Sequence, residues 1–387
     1  MNYIPYGHQD IDDNDINAVV RILKSDWLTQ GPVIEEFEKA VADYCGAKYA
    51  VSVSSGTAAL HIAMLAADLG TGDELWTSPN TFVASANCGL YCGANVDFVD
   101  IERKTFNMST SCLEEKIKSA VKKNKLPKVI IPVHFAGQSC NMEKISEIAK
   151  KHNILLVEDG SHAIGGSYKE DKIGSCRYSD MTVFSFHPVK NITTGEGGMV
   201  LTNRKELYEK LKLFREHGIT KTPSLIDDNE QGTWYYQQIV LGYNYRMTDI
   251  QAALGKSQLK RIDEFISRRR TIVDIYNEKL KNLGLGLPQE DINNNSAWHL
   301  YVIQLDLQKE GIDRRFVFNA MRKAGIGVNV HYIPVHTQPV YQKLGFKKGD
   351  YPEAEKYYEQ AISLPIYPGL KKEQQDYVIE TLYKLLQ

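Results

Sequence analysis

Lys190 follows Ser185 by five residues in Phe184-Ser185-Phe186-His187-Pro188-Val189-Lys190, and Asn191-Ile192-Thr193-Thr194-Gly195-Glu196-Gly197-Gly198 comes next. The apolar run Met181-Thr182-Val183-Phe184 reads as a buried strand, and the glycines beyond Lys190 as a turn rather than a helix. A lysine at the end of a buried strand can lose its proton by desolvation and attack a carbonyl carbon. The Ser185 hydroxyl beside it can donate to a phosphate.

Two other segments carry complementary chemistry. Ile154-Leu155-Leu156-Val157-Glu158-Asp159 reads as a buried strand ending in an acid, placed to face the crevice at the carboxyl edge of a parallel sheet. A carboxylate there can pair with a protonated ring nitrogen; equally, it can cap a helix beginning at Ser161 and His162. Ser54-Ser55-Gly56-Thr57 forms a tight turn between a strand over 49–53 and a helix starting near Ala58, whose free N–H groups attract a dianion. The turn lacks the Gly-Lys-Ser/Thr of a P-loop, and no G-x-G-x-x-G follows a strand. An amine nucleophile, a phosphate cradle and an acid for a pyridine nitrogen are what a pyridoxal phosphate (PLP) site needs.

Bulk properties narrow the alternatives. The chain has 387 residues, enough for two lobes around a large core, and 46 basic residues nearly balance 48 acidic ones. Arg268-Arg269-Arg270 is the one tight basic cluster and reads as a solvated helix face, so nucleic acid is not an expected partner. The six cysteines form no C-x-x-C pair, no His/Cys metal spacing is present, and no metal is expected. With no secretory leader pattern and no long apolar run, the chain reads as cytoplasmic, without a membrane partner.

Strand-like runs at 49–53, 74–78, 96–101, 128–135, 154–159, 181–186 and 197–202 alternate with helical stretches, which predicts an α/β fold with a mostly parallel central sheet. The last two are joined by a short loop and can pair antiparallel. Amphipathic helices are expected over 14–24 and 33–44. The segment 219–235 reads as a mobile surface loop. A long helix should start at Thr248 or Asp249 and run towards Leu283. A smaller lobe follows, with a strand over 298–305, a helix over 313–324, a strand over 327–332 and two C-terminal helices. The expected division is 1–250 for the N-terminal helices and large domain, and 251–387 for the linking helix and small domain.

With these residues in place, the chain resembles the fold-type I PLP aminotransferases of nucleotide-linked sugars, the DegT/DnrJ/EryC1/StrS family. The resemblance runs through Leu28-Thr29-Gln30-Gly31, Ser54-Ser55-Gly56-Thr57-Ala58-Ala59-Leu60, Asn80-Thr81-Phe82-Val83-Ala84-Ser85, Glu158-Asp159-x-x-His162-Ala163, the Lys190 segment, Gly242-Tyr243-Asn244-Tyr245-Arg246-Met247 and His331-Tyr332-Ile333-Pro334-Val335-His336. The Lys190 passage, Leu241-to-Arg246 and Ala324-to-Tyr332 are most similar to the branch serving pseudaminic acid biosynthesis. Ser54-to-Ala59 departs from that branch, which has Asn-Ser-Ala-Thr-Ser-Ala, and matches the wider family.

The resemblance implies a set of roles. Lys190 bonds the cofactor and later moves a proton to or from the substrate carbon. Asp159 binds the ring nitrogen, His162 lies near the ring hydroxyl, and Phe82 stacks on the ring. Gly56, Thr57, Ala58 and Ser185 hold the phosphate. Asn244 reaches that phosphate from the neighbouring subunit of a homodimer, and Arg246 meets the nucleotide diphosphate. Thr29 and Gly31 border the sugar; His331 and Tyr332 close the site from the small lobe. L-glutamate is the implied donor and a UDP-linked 4-keto-6-deoxy-N-acetylhexosamine the implied acceptor. Other C4 or C3 sugar aminotransferases (perosamine or 4-amino-arabinose type) differ only in pocket shape. A dehydratase of the family has histidine in place of Lys190, and a non-catalytic PLP-binding regulator has no need of Lys190, Asp159 and Ser185 together.

Overall fold

Seven strands form the central sheet in the order β1-β7-β6-β5-β4-β2-β3: β1 (Tyr49–Val53), β2 (Glu74–Thr77), β3 (Asn95–Phe98), β4 (Val129–Ile131), β5 (Leu155–Asp159), β6 (Met181–Ser185) and β7 (Gly198–Thr202). This computed structural model describes residues 3–226, 232–307 and 313–386. β7 runs antiparallel to both neighbours, while β6-β5-β4-β2-β3 are all parallel. The start of β7 therefore lies at the edge where β1, β5 and β6 end, and there the Ser55 turn, Asp159, Ser185 and Gly198 meet. These strands are buried along almost their full length, which explains their unbroken apolar runs.

Helices cover both faces: α1 (Asp13–Leu23), α2 (Pro32–Cys45), α3 (Gly56–Ala66), α4 (Ala84–Tyr91), α5 (Thr110–Lys123), α6 (Met142–Lys151) and α7 (Lys205–Arg215). Local chemistry sets several of their starts. Asp12 and Asp15 make a capping box on α1, and Ser55 caps α3 through the Ala58 N–H. The α2 start is capped from a distance: Asp249 accepts the N–H groups of Gly31 at 2.8 Å and Val33 at 3.1 Å. A Cβ on Gly31 would lie 2.6 Å from that of Trp27, so only glycine lets this loop close. The 28–31 loop and the 244–249 segment are held together, with Thr29 bridging Thr248.

The helical pattern after Thr248 is two helices, α8 (Asp249–Leu259) and α9 (Ile262–Leu280), rather than one. Arg261 at the break is drawn to Asp10, Asp12 and Asp15, at 2.9, 3.4 and 2.8 Å. No glycine or proline marks the break, so periodicity alone runs through it. Thr248 is the N-cap, in a capping box with Gln251. Along α9, Phe265 and Ile266 pack into the core of the central sheet while Ile272, Val273 and Tyr276 pack into the C-terminal core.

The C-terminal part of the chain holds β8 (Tyr301–Gln304), α10 (Arg314–Lys323), α11 (Pro352–Gln360), β9 (Ala361–Leu364) and α12 (Lys372–Leu386). β8 pairs with β9, a strand too short and too close to α11 to stand out in the sequence. The strand expected over 327–332 is absent. That stretch makes isolated bridges only, Ile326 with Ile4 and Asn329 with Ser363, because a different segment flanks it on each side. Ile4 itself sits in the C-terminal core. Of the loop expected over 219–235, residues 227–231 lie outside the described residues; a short hairpin pairs Ile219 and Thr220 with Gln238 and Gln237. Among the described residues no helix is long and apolar enough to cross a membrane.

One buried ion pair ties three of these elements together. Glu38 of α2 accepts from Arg215 at the end of α7 at 2.6 Å and from the N–H and hydroxyl of Ser52 in β1 at 2.7 and 2.8 Å. Removing one partner of such a pair strands the other charge. Arg215→Met should therefore destabilise the protein by about 3–5 kcal/mol in chemical denaturation. Breaking the exposed Lys39–Asp43 pair should cost less than about 1 kcal/mol. Equal effects from the two would refute the structural role given to Arg215.

Candidate active site

A cavity of about 500 Å³ opens at the carboxyl edge of the sheet and is lined on another side by residues 329–332. Lys190, Asp159, Ser185, Gly56, Thr57, Phe82, His162, His331 and Tyr332 all line it. Lys190 is half-buried and faces the cavity, on a loop that strand pairing alone does not hold. Asn191, next to it, donates to the carbonyls of Ile164 at 3.1 Å and Ala297 at 3.2 Å, and Thr193 donates to Phe186 O at 3.0 Å. Burial pulls the Lys190 amine down from its ordinary value to about 8, against the opposing attraction of Asp159.

Asp159 ends β5 and is buried. Its Oδ1 accepts the Ser161 N–H at 3.0 Å, as a cap would, but no helix follows: residues 161–165 are turn. Its Oδ2 accepts the Ser85 hydroxyl at 2.6 Å. The carboxylate also faces the cavity, so the capping interaction and a ligand-facing role coexist.

Three buried imidazoles feel the lysine charge. Burial, aided by the Lys190 charge, pushes His162 well below its ordinary value and His331 down to about 3. His299, whose ring centroid is 4.4 Å from that of His162, is depressed the same way. His162 Nδ1 accepts the Ala136 N–H at 3.3 Å, which assigns the remaining ring proton to Nε2, 3.1 Å from the Tyr332 hydroxyl. His331 is held by Ser363 at 2.8 Å. Added positive charge is unfavourable here, and an anionic ligand is favoured.

The phosphate cradle has a physical signature. A Cβ on Gly56 would lie 2.8 Å from the Ser185 Cβ, so glycine is what lets the α3 N-terminus come against the end of β6. The first-turn N–H groups of Gly56 and Thr57 have no partner within their own helix and stand beside the Ser185 hydroxyl. Ala58 departs from expectation: it does not line the cavity, and its N–H is taken by Ser55 Oγ at 3.1 Å. Phe82 lines the cavity and is 58% exposed, as a core aromatic is not, with its ring 6.2 Å from that of Tyr332. An amine, an acid for a ring nitrogen, a dianion cradle and a free aromatic face together fit PLP.

Thr29, Gly31, Asn244 and Arg246 do not line the cavity of their own chain. They cluster beside it, where the 28–31 loop meets the 244–249 segment; Arg246 lies 3.9 Å from Glu216, and Asn244 is exposed. In neighbouring stretches of the chain Trp27, Leu28, Trp234, Tyr236 and Leu241 expose large apolar side chains, Trp234 by 73% and Leu241 by 77%. Sequence reasoning missed Ser85, Thr81, Asn191, Tyr6 and Asn329. Thr81 and Ser85 stand four apart in the segment that contains Phe82, and that spacing was a usable sign. Tyr6 reaches the cavity by packing its ring 5.3 Å from that of His331, for which no local signal exists.

Comparison with known proteins agrees with this geometry. The profile of the DegT/DnrJ/EryC1/StrS aminotransferase family matches residues 9–383. The UDP-4-amino-4,6-dideoxy-N-acetyl-β-L-altrosamine transaminase of Campylobacter jejuni (strain 81-176) is 39% identical, over 99% of this chain and 98% of its own. The GDP-perosamine synthase of Caulobacter vibrioides is 37% identical, over 97% and 96%. Among solved structures, Helicobacter pylori PseC, an aminotransferase of pseudaminic acid biosynthesis, superposes with a TM-score of 0.90 at 32% identity, covering 100% and 99% of the two chains. Solved structures of similar chains include PLP and pyridoxamine phosphate forms. The chain belongs to the DegT/DnrJ/EryC1/StrS family and is a PLP-dependent aminotransferase of the nucleotide-sugar type.

Proposed function

We propose that the protein transfers an amino group from L-glutamate to C4 of UDP-2-acetamido-2,6-dideoxy-β-L-arabino-hex-4-ulose, giving UDP-4-amino-4,6-dideoxy-N-acetyl-β-L-altrosamine. The observation that carries the chemistry is Lys190, with its lowered proton affinity, facing the same cavity as Asp159. The sugar assignment is supported by the passages around Lys190, Tyr243 and Val330 and by the relatives named above. A GDP-linked 4-keto-6-deoxy sugar is the second reading, favoured by the nearly equal identity to a perosamine synthase.

PLP, when bound, supplies an electron sink beside the transferred nitrogen. Gly56, Thr57 and Ser185 would hold its phosphate, Asp159 would pair with its ring nitrogen, and Phe82 would cover its ring. Neutral His162 and Tyr332 would serve the ring hydroxyl. Lys190 takes the proton from the glutamate α-carbon at its neutral Nζ; the amino group is left behind in the site, and a water supplies the keto oxygen with which the donor leaves as 2-oxoglutarate. In the second half, Lys190 returns a proton to the sugar C4, whose keto oxygen leaves as water. One lysine serves both halves because an amine titrating near neutrality can both take and give a proton.

The active unit we propose is a homodimer. Asn244, Arg246, Thr29 and Gly31 lie outside their own chain's cavity, and neighbouring stretches of the chain expose aromatic and aliphatic side chains. In this reading they complete the partner's site: Asn244 at the phosphate, Arg246 at the nucleotide diphosphate, and Thr29 with Gly31 at the sugar.

Three outcomes follow from this reading. Borohydride added to the PLP-loaded protein should fix the cofactor's mass on the peptide carrying Lys190; Lys190→Ala should abolish turnover yet still bind PLP through the cradle. Mass on a different lysine contradicts the assignment. In a panel of UDP-, GDP- and dTDP-4-keto-6-deoxy sugars with glutamate, the β-L-arabino UDP sugar should be aminated with the highest kcat/KM. Preference for the D-xylo epimer or another nucleotide moves the protein to a neighbouring specificity. Mixing Lys190→Ala with Asn244→Ala subunits should raise activity above either parent, because one site of each mixed dimer then carries neither lesion. No rise, with subunit exchange confirmed by a mass tag, removes Asn244 from the shared site.

A further inference from the structure

Asp159 is gripped from a direction that its own strand does not supply. Ser85 lies in the first turn of α4 and Thr81 just before that helix, both on the neighbouring wall of the cavity. Both are almost fully buried, at 1% and 2% exposure. The Ser85 hydroxyl is 2.6 Å from Asp159 Oδ2, and the Thr81 hydroxyl is 2.8 Å from Ser85 Oγ. An ionised carboxylate only accepts, so the single Ser85 proton goes to Asp159 and the Thr81 proton to Ser85. The chain of donation has one polarity, Thr81 to Ser85 to Asp159. With the Ser161 N–H on Oδ1 at 3.0 Å, each carboxylate oxygen has one protein donor. The remaining lone pairs are left for whatever enters the cavity.

We infer that Ser85 is a positioning residue for Asp159, and Thr81 for Ser85: the two hydroxyls fix the carboxylate plane and stabilise its charge, so that a proton shared with the cofactor's ring nitrogen stays on the ring. This rests on the PLP reading of the site. Hydrogen bonds to a charged acceptor are the strong ones, and those in series polarise one another. Without Ser85 the buried Oδ2 loses its donor, the carboxylate becomes the better base, and the ring nitrogen loses the positive charge that makes the cofactor an electron sink. Phe82 lies between the two hydroxyl residues in sequence, so one short segment supplies both the cover of the ring and the grip on its acid.

The test uses PLP-loaded wild-type, Ser85→Ala, Thr81→Val, Asp159→Asn and the Ser85→Ala/Asp159→Asn double variant. The readouts are the pH titration of the bound cofactor's visible absorption, PLP affinity by fluorescence, and the single-turnover rate with L-glutamate. Ser85→Ala should shift the absorption titration and slow the half-reaction about tenfold or more, the scale of a lost bond to a charged group. Thr81→Val should move both readouts the same way by less. PLP affinity should stay nearly constant, since the phosphate cradle is untouched. In the Asp159→Asn background, Ser85→Ala should add almost nothing, because it acts through the carboxylate. An unmoved titration in Ser85→Ala and Thr81→Val, or losses that multiply in the double variant, overturns the relay while leaving the PLP site standing. An Asp159→Asn protein with wild-type titration and rate overturns the relay and the role of Asp159 together. No sugar enters these measurements, so an error in the proposed acceptor cannot produce either result.

Discussion

The site depends on a contest over the Lys190 charge. Burial in the cavity disfavours the ammonium, and Asp159 favours it; burial wins, and the amine settles near 8. A fully solvated lysine would stay protonated at neutral pH and be a poor nucleophile, and one paired tightly with a carboxylate would be poorer still. Asp159 is close enough for its charge to be felt at the Lys190 amine, while its own oxygens accept from Ser85 and Ser161. The neutral histidines follow from the same burial, to which the Lys190 charge adds.

The fold serves to keep that contest in place. The antiparallel β7 closes back on β6 and brings the 193–198 turn against the Ser55 turn, so amine, cradle and acid share one edge. Asn191 pins the Lys190 loop to Ile164 and Ala297. Glu38 and Arg215 lock α2, β1 and α7 together, and the same end of α7 pairs with the 243–245 segment through Phe214 O and Arg215 O. The 243–245 segment and the segment holding the cradle are thus mechanically joined, with Tyr245 O accepting the Ser54 N–H at 2.8 Å.

Much of this was legible in the sequence because it rests on local chemistry. Strands buried on both faces write themselves as apolar runs, and Asp159, Ser185 and Lys190 stand at or just past the ends of such runs. Ser55-Gly56 announces a strand–turn–helix. What was not legible depends on distant partners. The break at Arg261 is set by three aspartates some 250 residues away in sequence. Residues 327–332 look like a strand but find only single bridges on either side. Ala58 has the position of a phosphate ligand, yet its N–H is taken by Ser55 Oγ, a competition that spacing does not reveal. For Ser85 the spacing from Thr81 marks the segment, but the role itself is defined by Asp159, 74 residues on.

The measurement that bears most directly on this account is the proton affinity of Lys190 itself. Competitive labelling of the cofactor-free protein with a limiting amine reagent across pH 6–11, with each lysine followed by mass spectrometry, reads it residue by residue. The account predicts that Lys190 reactivity rises with a midpoint near 8, below the exposed lysines, which titrate near the ordinary value of about 10.4. In Asp159→Asn the midpoint should fall further, because the one opposing attraction is gone. A Lys190 midpoint at the value of the exposed lysines, or one unmoved by Asp159→Asn, would contradict the claim that desolvation against a single carboxylate prepares this amine for chemistry.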